Sequence, residues 1–166
     1  INFKKNEKNY QKIFFKENKN TFKYLEPYLN LSKKNACIIS LENIEKKNLS
    51  NTTYYNFDNN FIVSIFFLIL KVKYLYTSTP DLNQTVFKRS VFNITKYIYI
   101  QHSPVSLSMA YREKAFIHFD AIQSVNENQY SDILDINRLH RKKIKPFKYK
   151  YLFLDSFKKN KVVSNA

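Results

Sequence analysis

Residues 97–122 read YIYIQHSPVSLSMAYREKAFIHFDAI, and the way this stretch pairs decides the fold. Tyr97-Ile98-Tyr99-Ile100 is β-branched and aromatic throughout, the composition that suits a pleated, packed strand. His102-Ser103-Pro104 breaks it. After a loop over residues 105–114, the run 115–122 alternates, with Ala115, Ile117, Phe119 and Ala121 on one face. The expectation is an antiparallel hairpin with a long tip.

Toward the amino terminus, Thr52-Thr53-Tyr54-Tyr55 favours extended chain, and Asp58 stands as an N-cap candidate before the apolar run 61–70. That run is interrupted only by Ser64 and closed by Lys71. It predicts a buried helix from residue 59 to about residue 76, because roughly eighteen apolar residues are needed to span a bilayer. Toward the carboxyl terminus, Asn126 or Asn128 can cap a helix whose Tyr130, Ile133 and Leu134 form one stripe. Residues 147–154 then alternate Phe147, Tyr149, Tyr151 and Phe153 with lysines, as a strand does. Strand, helix, strand, strand, helix, strand is the order of an α+β, ferredoxin-like βαββαβ domain: a four-stranded antiparallel sheet with two helices on one face. The expected organisation is a basic, partly helical amino-terminal extension over 1–48, the domain over 49–156 and a basic tail over 157–166. Within the extension, residues 10–24 read as helical, Glu26-Pro27 as a breaker and residues 36–41 as a short apolar run.

Charge is distributed unevenly over the 166 residues: +6 over residues 1–50, zero over 51–135 and +9 over 136–166, for a net +15. Such a balance points to a polyanionic partner. The absence of Gly excludes phosphate-cradling loops and dinucleotide fingerprints, which need a residue free to adopt positive φ beside the ligand. Cys37 is the only cysteine, so neither an internal disulfide nor a multi-cysteine zinc site is expected. The abundance of Lys, Asn, Ile, Phe and Tyr over residues with GC-rich codons points to an AT-saturated organellar or parasite genome. The first thirty residues show neither an apolar secretory segment nor the Arg-rich, acid-poor pattern of an import peptide.

Several strings resemble the S-ten family of small ribosomal subunit proteins. Phe57-Asp58 precedes the first helix, His102-Ser103-Pro104 ends a strand, Arg112-Glu113-Lys114-Ala115-Phe116 leads into the next, and Ile133-Leu134-Asp135 lies in the last helix. The family's Gly before its Pro-rich stretch is missing, and Pro80 stands alone there. The resemblance implies a structural constituent of the small subunit of a mitochondrial ribosome, localised to the matrix. Its partners would be small-subunit rRNA and neighbouring head proteins, with no cofactor, no metal, no small-molecule substrate, no membrane and no enzymatic activity. An accessory subunit of a mitochondrial inner-membrane complex is the alternative.

Under this reading the RNA-contacting residues are Lys88, Arg89 and Lys96 along the second strand, Arg112 and Lys114 beyond the tip, and the cluster Arg138, Arg141, Lys142, Lys143 and Lys145. Residues 101–114 are expected to protrude as a finger, with His102, Ser103, Pro104, Val105, Leu107 and Met109 meeting a protein neighbour. His102, His118 and His140 lack a metal-binding spacing, and Asp132 with Asp135 lack an accompanying nucleophile and oxyanion set.

Overall fold

The computed structural model describes residues 12–16, 19–30, 36–42, 52–148 and 150–154. Residues 1–11, the tail at 157–166 and Tyr149 lie outside the described residues. Seven strands run through the chain: β1 Lys12–Lys16, β2 Ala36–Ser40, β3 Thr52–Asn56, β4 Tyr74–Thr77, β5 Lys96–Tyr99, β6 Ala121–Ser124 and β7 Lys145–Lys148. The described helices are α1 Lys19–Asn30, α2 Asn60–Leu68, α3 Leu107–Ala110 and α4 Glu127–His140. The strands form one sheet in the order β3-β2-β1-β4-β5-β6-β7, and every neighbouring pair is parallel.

This overturns the α+β, antiparallel expectation. The stretch read as a hairpin supplies β5 and β6, which lie side by side but parallel, with Ile98 opposite Ala121 and Tyr99 opposite Ile122. Residues 100–120 are therefore a crossover from the carboxyl end of one strand to the amino end of the next, as parallel pairing requires. The alternation over 115–122 reflects burial without a strand: Ala115, Phe116 and Phe119 are buried at one, two and five positions along a series of turns, and the strand begins only at Ala121. The stretch read as an extension supplies β1, α1 and β2, with β1 between β2 and β4. Pro27 lies inside α1 and does not end it.

Strands covered on both faces read as unbroken apolar runs. Ile13-Phe14-Phe15 and Ala36-Cys37-Ile38-Ile39 are buried throughout. On one face Ile13, Phe15, Cys37, Ile39, Leu75, Tyr97 and Ile122 pack with Val63 and Phe67 of α2 and Ile133 and Ile136 of α4. Leu82, Phe87 and Phe116 from turns of the two crossovers, with Leu107 of the short α3, join the same core, where longer helices usually cover such a sheet. On the other face Phe14, Ile38 and Ile100 pack with Phe22, Leu25 and Leu29 of α1.

The helix expected to reach residue 76 ends at Leu68, and Tyr74–Thr77 forms β4 between β1 and β5. Its tyrosines and Thr77 favour extended backbone once a strand lies on either side. Asn59, one residue beyond the expected Asp58, caps α2: its Oδ1 accepts from the amides of Phe61 at 2.8 Å and Ile62 at 3.2 Å. Asn126 caps α4, as one of the two expected alternatives, accepting from the Gln129 amide at 2.8 Å. Turns that ordinarily recruit Gly use other residues, since Asp81, Asn83, Asn93 and Arg141 hold positive φ of 61°, 73°, 54° and 50°. Three of these four are Asp or Asn, which tolerate that region best after Gly.

Candidate binding site at the carboxyl ends of the strands

The strand order reverses between β1 and β4. From β1 the chain passes to α1 on one face, and from β4 it passes to Leu82 and Phe87 on the other. The connections part there. In open parallel sheets the crevice outside the carboxyl ends at such a reversal is where ligands bind.

Two polar turns line this end. Thr77-Ser78-Thr79 follows β4, with the Thr79 amide donating to Thr77 Oγ1 at 3.0 Å and the Ile100 amide to the Thr77 carbonyl at 2.8 Å. Gln101 and His102 follow β5. Gln101 is tied to Gln123 of β6: its amide donates to Gln123 Oε1 at 3.2 Å and its Nε2 to the Gln123 carbonyl at 3.1 Å.

His102 joins the surrounding loops. Its Nδ1 lies 3.0 Å from the Ser78 carbonyl, which can only accept, so Nδ1 carries the proton in the neutral ring. Nε2 is then an acceptor, and the Tyr111 hydroxyl donates to it at 3.0 Å. Tyr99, whose hydroxyl also lies 3.0 Å from Nδ1, donates to Tyr111 at 3.3 Å. Tyr151 donates to the His102 carbonyl at 2.7 Å, and the Tyr24 ring of α1 lies 5.7 Å from the imidazole. Burial lowers the His102 pKa below its ordinary value, against an upward pull from the Ser78 hydrogen bond. Burial also raises the hydroxyls of Tyr99, Tyr111 and Tyr151. The cluster is uncharged at neutral pH.

Four buried side-chain oxygens among the described residues have no hydrogen-bond partner: Ser78 Oγ, Thr79 Oγ1, Asp81 Oδ1 and Gln101 Oε1. All four follow β4 or β5 at this end of the sheet. The other carboxylate oxygen of Asp81 accepts from Arg112 Nη2 at 2.8 Å, which fixes the side chain without satisfying Oδ1. Buried polar atoms ordinarily find partners, and these four lie together in two adjoining turns. Asp81 Oδ1 and Gln101 Oε1 accept, while the Ser78 and Thr79 hydroxyls both accept and donate, a mixed set that matches the hydroxyl groups of a polar ligand.

The expected finger is folded onto the molecule. Leu107 is buried in the core, where Asp132 caps α3 in trans by accepting from the Leu107 amide at 2.7 Å and Ser106 Oγ at 2.9 Å. Gln129, itself buried, donates to the carbonyls of Ser103 at 3.1 Å and Val105 at 2.8 Å, and Asn126 donates to that of Pro104 at 3.1 Å. Val105 and Met109 remain exposed. His102 lies among the loops at the carboxyl ends of the strands and not on a protruding tip.

The expected RNA-binding residues gather mostly at the opposite end. Arg138 and Arg141 end α4, Lys142 and Lys143 follow it, and Lys145 and Lys96 begin β7 and β5. Arg89 is engaged internally, donating to the His118 carbonyl at 2.6 Å and to Asp120 at 3.0 Å, with its guanidinium 4.9 Å over the Tyr97 ring. Lys88 donates to the Asn83 carbonyl at 3.2 Å, Arg138 pairs with Asp135 at 3.1 Å, and Arg112 is held by Asp81. Lys114 is exposed on the crossover. Ser78, Thr79, Asp81, Gln101, Tyr99, Tyr111 and Tyr151 were not legible as site residues; the hydroxyl run Thr77-Ser78-Thr79 before Pro80 would have been the signal, had β4 been read as a strand.

Among the described residues no three His, Cys, Asp or Glu side chains come together as a metal-holding group, and no helix is long and apolar enough to cross a membrane. Cys37 is buried in β2 and its thiol is pushed up by that burial. No family model, curated protein or solved structure matches the chain.

Proposed function

We propose that this chain is a ligand-binding α/β module that takes a small polar molecule rich in hydroxyl groups at the carboxyl ends of β4 and β5. The observation that carries this reading is the concentration of the four orphaned buried oxygens in the turns beside the strand-order reversal. Binding, more than acid–base chemistry, suits the site. Both nitrogens of His102 are occupied by Ser78 and Tyr111, so the imidazole holds the loops in register and has no lone pair free for a substrate proton. A constituent of the small ribosomal subunit stands as the rival proposal, supported by the net charge of +15; the fold its resemblance implied is not the one found.

The test is a thermal-shift and calorimetric panel of monosaccharides, linear polyols and nucleosides on the full chain, with Thr79→Val as the variant. Filling that position with a methyl removes an unsatisfied hydroxyl. It should stabilise the free protein by about 0.5–1 kcal/mol while weakening the best ligand at least about tenfold. If no hydroxyl-bearing compound raises the melting temperature, or if Thr79→Val binds unchanged, the reading fails.

A further inference from the structure

At the amino-terminal edge of the sheet, opposite the proposed site, a rigid apolar tip stands among lysines. Val91, Phe92 and Ile94 are 64%, 43% and 55% exposed on the turn that leads into β5. A loose loop could hide such side chains, but this turn is pinned. The Val91 amide donates to the Leu68 carbonyl at 3.0 Å, Ser90 Oγ to the Leu70 carbonyl at 2.6 Å, and the Phe92 amide to Ser90 Oγ at 3.3 Å. Asn93 takes the positive φ that turns the chain. Beside the tip, Ile65 and Ile69 of α2 and its C-cap are also exposed, extending the apolar surface.

Cations lie along the same edge of the sheet. Lys71 Nζ lies 4.0 Å over the Phe92 ring, and Lys73 bonds through its carbonyl to the Lys96 amide at 3.0 Å. Lys96 reaches Asp120 at 3.5 Å, and the Lys145 amide donates to the Asp120 carbonyl at 3.0 Å, which brings the start of β7 alongside. Arg89, His118, Lys142 and Lys143 line one open cavity of about 300 Å³ next to Asp120. Asp120 is already neutralised by Arg89 and Lys96, so the edge carries a large net positive charge.

We infer that this edge docks on an anionic lipid bilayer, with Val91, Phe92 and Ile94 entering the headgroup and acyl boundary and the lysines meeting acidic headgroups. The combination decides between polyanions. RNA would satisfy the lysines and stack a base on Phe92 but leave the aliphatic Val91 and Ile94 facing phosphate and water, whereas a bilayer interface accepts an apolar wedge and a basic ring together. Attachment would be peripheral, and it is independent of the ligand site at the other end.

The full chain is tested by co-sedimentation with vesicles of phosphatidylcholine alone and of phosphatidylcholine with phosphatidylglycerol, beside fluorescence anisotropy on poly(U) RNA. Binding at least about tenfold tighter to the acidic vesicles is expected, falling about tenfold or more in the Val91→Asn, Phe92→Ser, Ile94→Asn triple variant while poly(U) binding is unchanged. These side chains are exposed, and a melting temperature within error of the parent protein confirms that the variant is folded. Equal binding to neutral and acidic vesicles, no vesicle binding, or vesicle binding unaffected by the triple variant overturns the inference. Poly(U) binding tighter than vesicle binding, with Lys142→Glu and Lys143→Glu abolishing it, overturns it in favour of RNA.

Discussion

The two ends of the sheet solve opposite problems. At the carboxyl end a neutral histidine and several tyrosines satisfy one another, and the groups left over are buried hydroxyl, amide and carboxylate oxygens. At the amino end the charges satisfy one another in part, and the groups left over are exposed cations and apolar side chains. Buried polar oxygens can be reached only by something small, while an exposed mixed edge can be covered only by something broad. The contrast assigns a small molecule to one end and a surface to the other.

The sharpest way to break this comparison is to remove the centre of each end. His102→Ala should cost the most, about 2–3 kcal/mol, because it empties a packed half-buried position and leaves the Ser78 carbonyl without its donor. Asp120→Asn should cost about 2 kcal/mol; it uncouples Arg89, and the range for buried pairs is reduced because Asp120 and Arg89 retain 22% and 23% exposure. Chemical denaturation of each variant measures both. Equal losses below about 0.5 kcal/mol would mean that neither end is organised around the residue assigned to it.

Acid separates the ends further. The His102 pKa is lowered from its ordinary 6.5, so the unfolded chain takes up the proton first; its stabilisation is present above about pH 6.5 and is lost as pH falls from there through the folded value. His118, lowered by burial and by the charges of Lys142 and Arg89, adds to the same window. For Asp120 burial alone would raise the pKa, but hydrogen bonds from Arg89 and the Tyr97 amide, with the charges of Arg89 and Lys96, bring it below 3.8. Its contribution is present above about pH 3.8 and is lost on further acidification. Stability measured against pH should therefore fall in two steps, with His102→Gln diminishing the upper one and Asp120→Asn the lower. A single step in the parent protein would contradict the two environments.

The smallest expected effect concerns the helix that joins the ends. Asn59→Ala should cost about 1 kcal/mol through loss of the cap, and Asp58→Ala less than about 0.5 kcal/mol. Melting curves that reverse this ranking would return the cap to Asp58.

What could be read in advance follows from how local each signal is. The β-branched and aromatic run at 97–100 located β5 within a residue, and the Asn126 or Asn128 cap located α4, although of the expected stripe Ile133 is buried and Leu134 is exposed, Ile136 taking its place. Both signals depend on neighbours a few positions away. Strand direction does not. The same alternation serves a parallel or an antiparallel partner, so residues 97–122 could be placed beside each other without their orientation. The better clue lay in Ile13-Phe14-Phe15 and Cys37-Ile38-Ile39, whose lack of alternation belongs to a sheet covered on both faces. Their Lys-Asn surroundings concealed it. The site was hidden for a related reason: with residues 74–76 merged into a helix, Ser78 and Thr79 were not recognisable as following a strand. The basic residues were visible as a charge count, but only the topology brings Lys96, Lys142 and Lys145 to one edge.

Placing β1 in the middle of the sheet has a kinetic cost. Ile13 pairs with Cys37, twenty-four residues on, and with Leu75, sixty-two residues on. During synthesis β1 can find β2 soon after both emerge, but its other edge stays open until β4 has been made. Parallel pairings of such separation form slowly, since the closure entropy is met before the contacts reward it. In that interval Ile13, Phe14 and Phe15 present an apolar strand with unpaired amides and carbonyls, the kind of edge on which chains associate. Nascent chains released before residue 77 should therefore be the species most prone to aggregate, and the lysines at positions 12 and 16 bracket that strand with the charge that opposes it.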